Sequence, residues 1–482
     1  MKFPLLAKVG AIVLVGLMLA FVLARIEGLV GERKGRGEEA VRGVERSHAA
    51  AQSVLGPLLE RNCSEEWDEV AGTGSDRKVT TSRRDFRLRE VPSRLSVDGR
   101  TKSDPLWRGL FKVNAWRGHF TVAADFATLT ALQPRAEHPD GRLRCGAPVL
   151  LLALSDVRGV LAATGTADGR AFDFQSGTRG SDYASGVHVV LPMERAEGDA
   201  GHPLSVRLEL DLIGTGQLGW VPAADATRWT LNSDWPSPSF GGQFSPADRA
   251  VRADGFTSTW NLSSLATSAP ADVAKGLLLC SLVSTLDSRL DIADDAAAKP
   301  EKCLDLMSVA FIDPVNPYVL SDRAVKYDLL FIVLTFIAVG LIEVLSGRRV
   351  HPVQYGLVGL ALSLFFLLLL SLSEHLPFEQ AYVAAAAACA VLLGAYATSM
   401  LGRKLAGLLF GLGIALLYGL LYALLQMEQN ALVIGSVMLF AALAAVMMLT
   451  RRIDWYALFA RLREVAPAEK PAARPAAPDL RG

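Results

Sequence analysis

Glu374 and His375, with Glu379 close behind, form the densest group of ligating and proton-transferring side chains in this sequence. A histidine and two carboxylates are zinc donors, and zinc takes three or four N, O or S ligands. The same pair could serve an enzyme acting on a lipid-linked or cell-wall substrate at a membrane surface. However, Glu374-His375 followed by Leu-Pro-Phe lacks the H-E-x-x-H helix spacing. A helix end accounts for the group more simply: Ser373 and Glu374 leave the bilayer and His375 meets the terminal carbonyls. No metal or cofactor is expected on these grounds. Glu343 is the second candidate, because an intramembrane carboxylate is functional by default. It stands near Arg348 and Arg349, so pairing with them or reaching the interface is the more ordinary reading. Gln354 and Tyr355 are expected to anchor at the membrane interface, where tyrosine is enriched.

Ser239, His188 and Asp156 supply the residue types of a hydrolase triad, but no Gly-x-Ser-x-Gly elbow surrounds Ser239. Trp235-Pro236-Ser237-Pro238-Ser239-Phe240 reads as a rigid strand exit whose prolines restrict φ, with Trp235 and Phe240 in the core; a recognition loop is the alternative. Phosphate loops, dinucleotide fingerprints and paired broken helices are lacking, so no catalytic motif is found. The five cysteines, at 63, 145, 280, 303 and 389, show no metal spacing. Cys280 and Cys303 flank a polar loop and could pair in an oxidising compartment; scattered free thiols are the alternative.

The elements that must carry these residues are of two kinds. Between Val353 and Leu372 no charged residue occurs, and the run is long enough to cross a bilayer as a helix. Similar runs cover Leu329–Leu345, Ala381–Leu401, Leu405–Leu425 and Ala431–Leu449. Leu5–Ala24, bounded by Arg25, reads as an uncleaved signal anchor, with cleavage after the small residues Ala20 and Ala24 as the alternative. Arg348-Arg349, Arg403-Lys404 and Arg451-Arg452 mark alternate junctions, while Ser373–Gln380 and Gln426–Asn430 carry no Lys or Arg. The positive-inside rule then puts both termini in the cytoplasm and the large central region outside. Ala384–Ala388 with Gly394 and Ala397 predicts a helix that packs closely on a neighbour.

The central region changes to a period of two, with strands predicted at Phe111–Trp116, His119–Phe126, Pro148–Ser155, Gly186–Leu191, Leu204–Ile213, Ala226–Leu231 and Gly255–Leu262. Helical patterns between them are scarce, which favours an antiparallel sandwich. The predicted architecture is an α+β membrane protein. It has a transmembrane anchor (1–25), a juxtamembrane helix or stalk closed by Gly56-Pro57 (26–59) and an extracytoplasmic β-rich domain (60–327). A bundle of about five transmembrane helices (328–456) and a disordered cytoplasmic tail (457–482) follow. Lysine plus arginine balance aspartate plus glutamate at 49 each, so no basic footprint points to nucleic acid.

His351-Pro-Val-Gln-Tyr355, running on to Leu-Leu-Leu-Leu-Ser-Leu-Ser-Glu374-His375, resembles the signature of the inner membrane protein CreD family. Arg323-Ala324, Lys326-Tyr327 and Leu334-Thr335-Phe336 are similar to that family's entry into its membrane domain, and Ile453-Asp454-Trp455-Tyr456 to its end. So are Ser155-Asp156-x-Arg158-Gly159, Gly214-Thr-Gly216, Trp235-Pro236-x-Pro238-Ser239-Phe240, Gly255-Phe256, Trp260, Glu32-Arg33 and Gly56-Pro57. Ser237 stands where the family pattern leads one to expect histidine, which removes any role for that side chain here. The resemblance implies a multi-pass bacterial inner-membrane protein contributing to envelope integrity and to envelope-stress and β-lactam responses. It also implies expression under a two-component system. The partners expected are the lipid bilayer and an envelope protein or cell-wall component met through a periplasmic domain.

Overall fold

The computed structural model describes residues 3–71, 78–198, 200–279, 303–313, 317–346, 350–426 and 431–451. The chain divides into two compact units: residues 1–36 with 315–482, and residues 37–314.

The first unit is helical. It holds most of α1 (Phe3–Ser47), then α4 (Pro317–Val325), α5 (Asp328–Ser346), α6 (Pro352–Ser373), α7 (Phe378–Leu401), α8 (Lys404–Gln426) and α9 (Ala431–Thr450); the short α2 (Glu194–Glu197) and α3 (Ala269–Ala274) belong to the other unit. Among the described residues α1, α6, α7 and α8 are long and apolar enough to cross a bilayer, and α4 with α5, bent by 46°, qualify together as a fifth. Leu19, Leu23, Ile26 and Val30 on α1 are buried in one cluster with Phe331 of α5, Val358, Leu362 and Phe365 of α6, and Tyr382 of α7. The N-terminal helix is therefore a packed member of this unit. On α7 the predicted close approach is found. A Cβ built on Gly394 would lie 3.2 Å from the Cα of Gly411 on α8, so only glycine lets the backbones meet there.

The second unit is sheet-rich. One nine-stranded sheet contains β1 (Gln52–Ala71), β2 (Lys78–Glu90), β7 (Arg142–Cys145), β8 (Val149–Leu154), β11 (Gln175–Ser176), β12 (Gly186–Val190), β14 (Gln217–Trp220), β16 (Pro238–Gly242) and β19 (Met307–Phe311). Its main path runs β11-β12-β8-β1-β14-β19-β16, and β2 and β7 pair with the distal part of β1. An eight-stranded sheet contains β3 (Arg94–Ser103), β6 (Ala115–Phe126), β9 (Val160–Ala167), β10 (Arg170–Asp173), β13 (Leu204–Thr215), β15 (Ala226–Ser233), β17 (Asp248–Arg252) and β18 (Gly255–Ser263). β4 (Leu106–Arg108) and β5 (Phe111–Val113) form a small hairpin. Both large sheets send side chains into one buried cluster, including Val97, Trp116, Phe120, Leu152, Leu210, Trp220 and Val309. Trp229 and Trp260, directly opposite on β15 and β18, stack at 4.3 Å.

Three expectations are corrected here. The helix read through to Leu59 stops at Ser47, and β1 begins at Gln52. Ala49–Leu59 is buried almost throughout, and a strand buried on both faces loses the alternation that marks strands in sequence. Gly56 sits at φ +108° where β1 bulges against β8, and a Cβ there would come within 2.8 Å of the Leu151 carbonyl oxygen. The sheets are also mixed rather than antiparallel: β1 runs parallel to β14, and β3 parallel to β15. Long connections between those partners make parallel pairing available, since no hairpin need join them. Lastly, the predicted strand Phe111–Trp116 is broken at Asn114 into β5 and the start of β6.

Candidate functional site

The start of α6 is set by the His351-Pro-Val-Gln-Tyr355 signature. Pro352 opens the helix, His351 Nδ1 accepts from the Val353 N–H at 3.3 Å, and Gln354 Oε1 accepts from the His351 N–H at 3.0 Å. This reciprocal box satisfies donors that a helix end leaves bare. It also fixes the turn carrying Tyr355, whose hydroxyl donates to Glu343 Oε2 at 3.0 Å. The other oxygen of Glu343 accepts from Lys8 Nζ on α1. A carboxylate on α5 is thus shared between an ammonium on α1 and a phenol on α6. Glu343 thus pairs with Lys8 and Tyr355; Arg348 and Arg349, the partners expected from the sequence, lie outside the described residues. Tyr355 is 4% exposed and packs edge-on against Phe336, so it is a buried donor. Gln354 caps its own helix.

At the other end of α6, Glu374 is the C-cap and its Oε1 lies 3.4 Å from Arg33 Nη1 on α1. His375 and Glu379 are exposed. Among the described residues no three His, Cys, Asp or Glu side chains converge to hold a metal ion. Glu374 therefore serves an ion pair. Tyr355 and Glu374 are separated by 19 residues of helix, or about 28 Å at 1.5 Å per residue, close to the thickness of a bilayer's hydrocarbon core. The two ion pairs bracket the apolar length of α6, and both draw their cation from α1.

In the sheet unit, Trp235 is buried in the core, donates from Nε1 to the Ile312 carbonyl at 3.0 Å and lies edge-on to Phe311. Ser239 is exposed on β16, paired with Ala310 of β19. His188 is buried on β12 and its Nδ1 donates to the Gly177 carbonyl at 2.8 Å. Five inter-strand steps separate β12 from β16, about 24 Å along the sheet, so Ser239 and His188 form no triad. Asp156 is engaged elsewhere. It accepts from the Ala50 N–H at 3.0 Å and from Arg158 Nη2 at 2.6 Å. Burial alone would raise its pKa, but Arg158 and the Ala50 and Arg158 backbone N–H groups outweigh that and hold the carboxyl below the usual range. Arg158 in turn donates to the Glu45 carbonyl at 3.0 Å and to the Arg46 carbonyl, capping the last turn of α1. Ser155 Oγ donates to the Ala51 carbonyl and accepts from the Ser53 N–H, both at 2.9 Å. The Ser155-Asp156-x-Arg158-Gly159 motif is the joint at which helix α1 becomes strand β1.

Lys8 is a contributor that the sequence analysis does not single out, and Arg33 and Arg158 enter it only as motif residues with no role assigned. Lys8 could have been found, since a lysine interrupting an apolar span needs a partner. Nothing in the sequence pairs Arg33 with a residue 341 positions away. A disulfide missed in the sequence joins Cys63 to Cys145, opposite each other on β1 and β7. Cys303 is also disulfide-bonded, Cys280 lies outside the described residues, and Cys389 is free and buried.

Apolar helices at both ends of the chain, ion-paired to one another, with a large sheet-rich unit inserted between them, define a multi-span membrane protein of α+β class. The chain matches the family described as inner membrane protein CreD over residues 4–456, and it belongs to that family. It is 32% identical over 459 residues to "Inner membrane protein CreD" of Escherichia coli (strain K12), covering 95% of each chain. Among solved structures, an M1 zinc metallopeptidase from Deinococcus radiodurans overlaps 35% of this chain and 38% of its own, at 12% identity and a TM-score of 0.15. A point mutant of that enzyme overlaps to the same extent, with a TM-score of 0.17. Overlaps this loose do not establish a shared fold or chemistry.

Proposed function

We propose that this inner-membrane protein contributes to cell-envelope integrity and to envelope-stress and β-lactam responses as a non-catalytic binding or sensing protein. Six spans, counting α1, α4–α5, α6, α7, α8 and α9, keep both termini in the cytoplasm. The sheet-rich unit, its two large sheets stacked as a sandwich, then lies in the periplasm. The observation that carries this is the Cys63–Cys145 disulfide, since such bonds persist outside the reducing cytoplasm. The basic junction Arg403-Lys404 and the Lys- and Arg-free turn from Ser373 to Gln380 support the same orientation. The chain enters and leaves the sheet unit through the helical unit, so an envelope protein or cell-wall partner binding outside could bias helix packing within.

Membrane-impermeant maleimide labelling of intact cells tests it. Cys389→Ala removes the free buried thiol, and single cysteines replace Leu161, His375 and Gly402, all three exposed. Labelling at 161 and 375 but not 402 is the expected pattern. Labelling at 402 alone would invert the topology and end the external-sensor reading. Loss of the chain should also sensitise cells to detergent or β-lactam; unchanged tolerance would remove the envelope role.

A further inference from the structure

We infer that the sheet unit binds a phosphate group, free or as a monoester, in a cationic groove over β2, β1 and β7. The register places Ser64 of β1 opposite both Asp85 of β2 and Arg144 of β7, and sets Asn62 opposite Arg87 and Glu60 opposite Arg89. Side chains two apart on a strand share a face, so Arg83, Asp85, Arg87 and Arg89 stand on one side of the sheet with Ser64 and Arg144. Asp182 and Lys275, the latter just past α3, close the groove, whose volume is about 760 Å³, within the range of ligand sites.

The charges in this groove are not all spent on one another. Arg83 pairs with Asp85 and approaches Glu66. Arg87 and Arg89 both pair with Asp182 and both reach Glu60. Arg89 also donates to the Val273 carbonyl at 3.3 Å and its side chain is only 4% exposed, so this guanidinium is fixed in place. Arg144 and Lys275, both exposed, have no side-chain partner among the described residues. Arg83, Arg87 and Arg89 share four carboxylates, Glu60, Glu66, Asp85 and Asp182, so with Arg144 and Lys275 the cations exceed the carboxylates by one, and the two cations without a side-chain partner face the open groove. These two unpartnered cations are available to a phosphate group, whose ester carries about −1.5 to −2 charge, and an arginine fork suits its oxygens. The Cys63–Cys145 disulfide ties β7 to β1 next to Ser64, which holds Arg144 at the groove's edge. The inference holds whichever compartment the sheet unit occupies.

Isothermal titration of the full chain in neutral detergent at physiological salt, with inorganic phosphate and with glucose 1-phosphate, tests the site. The expected result is one-to-one binding that R144A/K275A weakens at least tenfold, while R249A/R252A, an equal charge loss on the exposed strand β17, leaves it unchanged. Single R144Q and K275Q variants, with melting temperatures like the parent, should each show part of the loss. Equal affinity for both probes identifies the free anion as ligand; binding of the sugar phosphate alone identifies a phosphosugar. Absence of heat with either probe overturns the inference. So does affinity retained in R144A/K275A, or lost equally in R249A/R252A.

Discussion

Arg158 and Asp156 hold each other at 2.6 Å where α1 gives way to β1, and each spends its remaining hydrogen-bonding capacity on backbone from that joint. The guanidinium takes the Glu45 and Arg46 carbonyls in the last turn of the helix, and the carboxylate takes the Ala50 N–H beyond it. A helix end and a strand start are thereby satisfied by two side chains from a distant turn.

Arg158→Ala should lower the stability of the sheet unit by about 1–3 kcal/mol, the range for losing hydrogen bonds made by a charged group. The pH dependence follows from Asp156. Its folded pKa lies below its unfolded value, so its contribution is complete above about pH 4 and disappears as pH falls through the lowered folded value. Melting curves of the parent and Asp156→Asn, recorded in detergent from about pH 6 down to about pH 2.5, should converge toward the acid end. Parallel curves would mean that Asp156 is not tuned by the joint.

The Lys8–Glu343 pair makes a non-additive prediction. Removing one partner of a buried ion pair costs about 3–5 kcal/mol. Here the side chains keep 28% and 17% exposure, so Lys8→Met should cost less than that. Combining it with Glu343→Gln should recover part of the loss, because no uncompensated charge remains. A double-mutant cycle read by thermal aggregation would give the coupling; additive losses would mean that the pair does not form.

Gly411→Val should separate α7 from α8. Gly394 and Gly411 approach too closely for a side chain, so the variant must either push the helices apart or bend them. A fall of several degrees in melting temperature is expected, with Gly413→Val, where nothing lies within 4 Å, as the unaffected comparison.

His375→Ala should leave envelope phenotypes unchanged, because the side chain is exposed and Glu374 is taken up by Arg33. Detergent and β-lactam tolerance of complemented cells provides the measurement. Complete loss of function with normal accumulation would instead point to chemistry at that membrane face.

Most of the helical unit was legible in the sequence, because a bilayer-length apolar run is a local signal that needs no partner to interpret. The predicted strands fell where alternation is clean, as in Leu204–Ile213. The longest hairpin went unseen. β1 is buried without alternation near its start and carries Glu60, Glu65, Glu66 and Asp68 further on, while β2 carries Arg83, Arg84, Arg87 and Arg89. Each strand alone reads as a charged segment, and only their pairing turns those charges into a cross-strand ladder.

The sequence by itself determined that the chain spans a membrane, that a β-rich region interrupts its helices, and which motifs tie it to its family. Tertiary structure alone decided what those motifs do. Glu343 meets Lys8 across 335 positions, Arg158 meets Arg46 across 112, and Cys63 meets Cys145 across 82. Periodicity reports the environment of a residue along its own element, whereas these pairings depend on how separate elements pack. That is also why Ser239, His188 and Asp156 supply the residue types of a triad in the sequence but stand on separate parts of the fold.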